Sequence, residues 1–333
     1  MEVTARTWCR VDFAGGTLDI WPLGLLHPGA VTVNLAIDVA TEVTLRPSVE
    51  ENGERLYRLV TGSRLQTTSD LARWMEDPET RLVAHLGSSL NLGPAEIELR
   101  SASPRGGGLG ASSALAVAFI VAAEAYSGMA ATSFDARCRL AHDIEARMMS
   151  LPTGRQDHMP ALLGGLLEIE HRPGGERIRS LDVDLDALGR SLIVVYSGQS
   201  HFSAGNNWRV VRGRLDGEPE AVRNFEQIAR TARKVVEAFD AGDLARVGAL
   251  MSREWSYRRR LAEGISTPRI ESILESAINL GAWGGKACGA GGGGCVAILA
   301  PPERRDRIAS AIAASTEVLS AAPAAGPFEL RIE

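Results

Sequence analysis

Pro104-Arg-Gly-Gly-Gly-Leu-Gly-Ala-Ser-Ser-Ala114 is the stretch on which the reading of this chain turns. Residues 95–101 (AEIELRS) alternate apolar and polar side chains as a half-buried strand does, and they lead into Pro104. Glycines follow at 106, 107, 108 and 110, and then an alanine-rich apolar run over 112–126 that predicts a buried helix opened by Ser112 and Ser113. Glycine amides can approach an anion closely, and a helix N-terminus adds free N–H donors and partial positive charge, so a phosphate is the natural ligand. A serine-capped turn that binds nothing is the alternative for a single loop of this kind.

Known phosphate loops narrow the choice. The loop is not G-x-x-x-x-G-K-[ST], because no lysine follows the glycines and the chain has only two, Lys234 and Lys286. Gly106, Gly108 and Ala111 match G-x-G-x-x-A, the degenerate dinucleotide fingerprint. That fingerprint needs an acidic residue at the end of a second strand about twenty residues on, where residues 126–134 read as helix or helix linker. A nicotinamide-linked oxidoreductase is therefore disfavoured.

A second glycine-rich segment is Lys286-Ala-Cys-Gly-Ala-Gly-Gly-Gly-Gly-Cys295. Here a helix precedes and a strand follows, the reverse of the dinucleotide context. Such a run suggests a backbone passing very close to a ligand or to another loop, or else a tight bend. The third segment, Arg10-Val-Asp-Phe-Ala-Gly-Gly-Thr-Leu-Asp19-Ile-Trp-Pro22, is a strand entering a glycine turn, with Arg10 and Asp19 on its flanks.

Around these segments, strands are predicted over 7–13, 31–37 and 40–45, mixed helical structure over 71–90 and a helix over 133–149. A strand over 191–197 is followed by helices over 218–241, 243–262 and 269–280, a strand over 295–299, a helix over 302–314 and a closing strand over 327–332. Residues 171–190 are polar and turn-rich, which puts a domain boundary near 185, giving units of 1–185 and 186–333. The length of 333 residues likewise suggests about two domains.

The chain is 45% hydrophobic and 23% charged, with 36 basic and 41 acidic residues and a net charge of −5. Its scattered basic residues argue against nucleic-acid and membrane partners. Four cysteines without zinc-ligand spacing read as free thiols of a cytoplasmic protein. The apolar run 114–123 is too short for a membrane span, and no signal peptide is apparent.

Taken in order, the three segments resemble the GHMP kinases, the superfamily of galactokinase, homoserine kinase, mevalonate kinase and phosphomevalonate kinase. Pro104–Ala114 is similar to that family's P-x-x-x-G-L-G-S-S-A motif, with alanine at the first serine and an extra serine after it, and residues 289–294 match its C-terminal G-A-G-G-G run. The segments FAGGTLD (13–19), GRQDH (154–158), EW (254–255) and GAWGGKACGAGGGG (281–294) resemble the sugar-kinase branch of D-glycero-D-manno-heptose 7-phosphate kinases and bacterial fucokinase-like proteins. Where that branch has G-G-G-T-D, this chain has G-G-T-L-D.

The resemblance implies an α+β protein with an N-terminal ribosomal-protein-S5-like domain, a C-terminal ferredoxin-like domain and an active site between them. It implies ATP held by Pro104, Gly106, Gly107, Gly108, Leu109, Gly110, Ala111, Ser112 and Ser113, and Mg²⁺ held by Ser112, or Ser113, with Glu145. Asp157 would accept or orient the substrate proton and Arg10 would stabilise charge. Thr17, Asp19, Gly154, Asp157, Cys288, Gly289, Ala290 and Gly291 would meet the substrate, with Lys286 approaching it or closing over the phosphates. Arg155 and His158 lie beside the aspartate in sequence, and Trp74 is a stacking candidate for adenine. The implied acceptor is a small-molecule sugar or sugar phosphate, and the implied assembly is a monomer or homodimer. An isoprenoid-pathway kinase or decarboxylase and a non-catalytic sensor are the alternatives; Arg10, where the mevalonate type has lysine, argues against the first.

Overall fold

The structure, a computed structural model, describes residues 1–51, 53–200 and 204–333. In chain order its first elements are β1 (Val3–Ala14), β2 (Val31–Pro47), β3 (Glu50–Glu51), β4 (Glu54–Arg55), β5 (Tyr57–Thr61), β6 (Arg64–Thr68), α1 (Arg81–Ser89), β7 (Ala95–Ser101), α2 (Ala111–Tyr126), α3 (Phe134–Met149), α4 (His158–Leu163), β8 (Leu166–Arg172) and β9 (Gly175–Ser180). They are followed by α5 (Leu185–Ser191), β10 (Leu192–Tyr196), α6 (Ala204–Leu215), α7 (Pro219–Asp240), α8 (Leu244–Arg258), α9 (Pro268–Asn279), β11 (Gly284–Ala287), β12 (Cys295–Leu299), α10 (Pro302–Ala313), β13 (Glu317–Leu319) and β14 (Glu329–Ile332). Among the described residues the architecture is α+β, built on two main sheets.

The first sheet has the order β14-β1-β2-β7-β5-β6, and β8 and β9 branch from β2. Strand β2 is long enough to pair with β7 through residues 41–47 and with β8 through residues 31–35. The two strands expected over 31–45 are thus one. The register between β1 and β2 shifts between Trp8 and Cys9. Before that shift Val3 and Ala5 pack into the core under α2; after it Cys9, Val11 and Phe13 pack into a second core shared with the other sheet. Arg10 and Asp12 alternate with those side chains along the strand and so project the opposite way.

The second sheet has the order β11-β12-β10-β13. With α6–α9 together filling the first crossover, this is a β-α-β-β-α-β unit with its first and third strands, β10 and β12, adjacent at the centre, the ferredoxin-like arrangement. Local chemistry sets its helices: Pro219, Pro268 and Pro302 open α7, α9 and α10, and the Thr267 hydroxyl accepts from the Ile270 amide.

Several expectations change. The stretch 171–190 holds much of the β8–β9 hairpin and α5 rather than a linker, because its exposed strand faces carry polar residues and mask the period. Strand β14 pairs with β1, so the last residues of the unit placed at 186–333 complete the first sheet. Helix α2 starts at Ala111 after a left-handed Gly110 (φ 73°) with no side-chain cap, so neither Ser112 nor Ser113 caps it. Cys9, Cys138, Cys288 and Cys295 are free and buried, and among the described residues no helix is long and apolar enough to cross a membrane.

The two sheets share one core, in which Val11, Phe13 and Val33 meet Val194, Phe239 and Met251. The Phe13 and Phe239 rings meet edge to face at 5.2 Å. Thermal unfolding is therefore expected as one transition, coincident by circular dichroism and fluorescence. Phe239→Ala should lower stability by about 3–5 kcal/mol in urea titration. Two resolved transitions in the wild type would show that the halves unfold separately.

Candidate active site

β1, the start of α2, the end of α3, the residues just ahead of α4 and the second glycine run line one cavity of about 560 Å³. On it the structure brings together Arg10, Thr17, Asp19, the whole segment from Pro104 to Ser113, Glu145, Gly154, Asp157 and the run Cys288, Gly289, Ala290 and Gly291.

The glycine loop has a consistent polarity. The carbonyl of Gly107 accepts from the Cys295 amide (2.8 Å), that of Gly108 from Arg10 Nη1 (2.5 Å), that of Leu109 from the Arg10 amide (2.9 Å) and that of Gly110 from the Ala114 amide (2.9 Å). Among the described residues the amides of 108–113 donate to no protein group. Carbonyls are taken and amides are left over at a helix N-terminus, which is the geometry of an anion cradle. The glycines are sterically required: a Cβ on Gly108 would lie 2.7 Å from the Cys288 carbonyl oxygen, and one on Gly110 3.0 Å from Asp157.

Arg10 is 3% exposed and reaches Asp157 Oδ1 through Nε (2.7 Å) and Nη2 (2.6 Å). Burial works against its charge, but Asp157 and Asp12 more than offset it and hold the guanidinium ionised. Asp157 stands just ahead of α4, with its carboxylate partly open to the cavity.

Asp19 is buried and accepts from the Gln156 amide and from Gln156 Nε2, each at 3.2 Å. Gly154 makes room for it, since a Cβ there would lie 1.7 Å from Asp19 Oδ2. Thr17, at φ 72°, accepts through Oγ1 from Arg258 Nη1 (2.7 Å).

Glu145 lies inside the fold at 6% exposure, not on a solvated helix face. Ser113 Oγ donates to it (3.0 and 2.9 Å), and His158 Nε2 stands 2.8 Å from Oε2. Burial alone would raise the carboxyl pKa; His158 and the serine hydroxyls reverse this and bring it below its ordinary value. Burial likewise opposes charge on His158, and Glu145 overrides it upward. Among the described residues no group of three or more His, Cys, Asp or Glu side chains could hold a metal by itself. One ionised carboxylate beside serine hydroxyls on the cavity wall does fit Mg²⁺, which keeps waters and phosphate oxygens as its other ligands.

Two residues, Lys286 and Trp74, are not where the sequence suggested. Lys286 is wholly buried and pairs with Asp12 (2.9 Å) and Glu254 (3.3 Å), so it neither meets a substrate nor closes over phosphates. Trp74 is buried in the first core, and of residues 45–90 only Arg81 lines the cavity, whose far end carries Leu115, Met148 and Met149. Arg155 turns away to Asp135 (3.4 Å) and Glu176 (3.0 Å). Cys288 lines the cavity, and burial pushes its thiol up to about 11, which favours the neutral thiol at neutral pH. Gln156 and Arg258 were missed; the signal available for Arg258 was its i,i+4 spacing from Glu254 on a predicted helix.

Burial first, and then the charge of Asp157, push the Asp19 carboxyl up to about 6. Its unfolded value is ~3.9. Ionised Asp19 therefore lowers stability: the cost is absent below about pH 4, grows as the pH rises and is complete above about pH 6. Asp19→Asn should gain ~2–3 kcal/mol relative to wild type between pH 4 and pH 7 in urea unfolding. A difference that does not vary with pH would show that this carboxyl does not titrate in the folded protein.

Residues 80–165 match the model of the GHMP kinases N terminal domain, and residues 235–317 match that of the GHMP kinases C terminal region. The chain is 26% identical over 216 residues to D-glycero-alpha-D-manno-heptose 7-phosphate kinase of Campylobacter jejuni, covering 63% of this chain and 62% of that protein. It is 30% identical over 225 residues to mevalonate kinase of Thermococcus gammatolerans, covering 65% and 62%. The chain thus spans less than two thirds of the length of these curated relatives. The crystal structure of a D-glycero-D-manno-heptose 1-phosphate kinase from Bacteriodes thetaiotaomicron superposes with a TM-score of 0.78 at 18% identity, covering 99% of both chains, so the whole fold is shared. With family-model matches over 80–165 and 235–317, together just over half of its residues, the chain belongs to the GHMP kinase family.

Proposed function

We propose that the protein is an ATP- and Mg²⁺-dependent kinase that phosphorylates a hydroxyl of a sugar or sugar phosphate, and that the anomeric hydroxyl of D-glycero-D-manno-heptose 7-phosphate is the acceptor to try first. The observation that carries this reading is the Arg10–Asp157 pair, which faces the cavity between the unpartnered amides of 108–113 and the buried Asp19.

Phosphoryl transfer needs positioning and charge stabilisation more than covalent help from the protein. The amides of 108–113 would bind the phosphates. Asp157 would accept or orient the acceptor proton. Arg10 keeps its own proton, since a guanidinium does not yield it to a carboxylate, and it ties Asp157 to the glycine loop by donating to both Asp157 and the Gly108 carbonyl. Glu145, with Ser112 or Ser113, would hold Mg²⁺, which supplies charge neutralisation on the phosphates. Ser113 already donates to Glu145, while Ser112 is exposed.

On the acceptor side, Asp19 supports a polyhydroxylated substrate, because a carboxylate can accept from two neighbouring ring hydroxyls. The name of the Campylobacter jejuni relative points the same way. The Thermococcus gammatolerans relative is a mevalonate kinase, so mevalonate belongs among the acceptors tested.

ADP release with Mg-ATP should be measured across hexoses, deoxyhexoses, heptoses, their phosphates and mevalonate, on wild type and Asp157→Asn. Turnover is expected with a sugar or sugar phosphate and should fall by about 10²-fold or more in the variant, with ATP affinity kept. If wild type binds ATP but turns over none of these acceptors, the kinase reading fails and a non-catalytic nucleotide sensor takes its place.

A further inference from the structure

Behind the cavity lies a group of four charged side chains that touch neither the glycine cradle nor the cavity itself. Asp12 is on β1, Glu254 and Arg258 are on α8, and Lys286 is on β11; each is at most 1% exposed. Lys286 Nζ meets Asp12 Oδ2 (2.9 Å) and Glu254 Oε2 (3.3 Å), and Arg258 Nε donates to both Glu254 oxygens (3.0 and 3.2 Å). Two acids and two bases balance. Arg258 Nη2 also pairs with Glu254 Oε1, and two donors reach out of the group: Nη1 donates to Thr17 Oγ1 (2.7 Å) and Nη2 to the Gly16 carbonyl (2.6 Å). Glu254 Oε1 also accepts from the Gly15 amide (3.3 Å).

Those three contacts fall on a turn whose local bond, from the Leu18 amide to the Gly15 carbonyl (3.1 Å), has to offset an unfavourable backbone at Thr17. Thr17 has φ 72°, a region that β-branched residues rarely enter. Gly15 has φ 85°, and a Cβ there would lie 2.0 Å from the Val31 carbonyl oxygen. Conformations of this kind persist only where the surroundings over-determine them. A buried ion group is a weak source of stability compared with apolar residues of similar volume. A planar guanidinium that grips a hydroxyl and a carbonyl together instead supplies direction.

We propose that Arg258, braced by Glu254 and Lys286, is a positioning residue for the acceptor: from the second half of the chain it holds the Gly15–Thr17 turn in the shape that presents Thr17 and Asp19 to the cavity. The inference rests on reading that turn as the acceptor side. Arg258→Lys keeps the charge and the Glu254 partner but loses the two-armed grip.

Hydrogen exchange of peptides covering 14–22 and 104–114 should be followed in wild type and variant without ligand, together with the KM values for acceptor and ATP. Exchange over 14–22 is expected to speed by about tenfold while 104–114 is unchanged. The acceptor KM should rise by about tenfold, with the ATP KM within about twofold of wild type. Unchanged exchange over 14–22, equal acceleration of both segments, or an unchanged acceptor KM would overturn the proposal. If Arg258→Lys does not fold, Thr17→Ala removes the gripped hydroxyl alone and is read by exchange only, since Thr17 itself lines the cavity: faster exchange over 14–22 with 104–114 unchanged is expected, and unchanged exchange over 14–22 would overturn the proposal. Exchange needs no acceptor, so absence of turnover in wild type would sink the kinase reading while exchange still decides the role of Arg258.

Discussion

Two glycine runs, nearly two hundred residues apart in sequence, pack backbone against backbone, and the cleft depends on that contact. A Cβ on Gly294 would meet the carbonyl oxygens of Gly107 (2.9 Å) and Gly106 (3.0 Å), and the Cys295 amide donates to Gly107 (2.8 Å). The bond fixes which way the first loop faces. Once the carbonyls from 107 to 110 have partners inside the protein, the intervening amides can only turn to the cavity. The chain entropy lost at so many glycines is the cost of an approach that no side chain would permit.

Charge within the fold follows the same economy. Asp12 is held below its ordinary pKa: burial opposes its charge, and Lys286, Arg258 and Arg10 outweigh burial. Glu145 has His158, and Asp157 has Arg10. Asp19 makes no ion pair among the described residues; its partners are the two Gln156 amide groups, and its carboxyl is the one pushed up. A buried carboxylate without a cation is costly unless something else donates to it. The acid left in that state lines the cavity, where hydroxyl donors of an acceptor would relieve it.

Much of the secondary structure was legible because its signals are local. Residues 95–101 alternate cleanly and form β7, and the proline and threonine starts of α7 and α9 lie within one residue of the expected bounds. The β5–β6 hairpin (57–68) was not, because most of its side chains are exposed or half-buried and carry no clear period. The catalytic candidates were legible only as motifs. Arg10 and Asp157 are separated by 147 positions, and nothing local in either segment says that they touch. Lys286 shows the limit most plainly: beside a glycine run it looks like a ligand contact, but the β11 register turns it inward toward Asp12.

The second glycine run was read as approaching either a ligand or another loop, and it does the latter along most of its length. Gly291 leaves no room for a side chain beside the Ile265 carbonyl oxygen, and the Gly292 amide donates to that same oxygen at 2.6 Å. Gly294 donates to the Gln199 carbonyl and accepts from the Ser197 amide. The run is therefore pinned to its neighbours at Gly292 and Gly294, while among the described residues the amides of 289, 290, 291 and 293 donate to no protein group. Only its start, from Cys288 to Gly291, and Gly293 reach the cavity wall. A glycine-rich sequence can serve a site in two distinct ways, by offering amides or by standing aside so that another loop can offer them. Which one applies depends on whether the carbonyls or the amides find partners, and that is decided by the register of neighbouring strands.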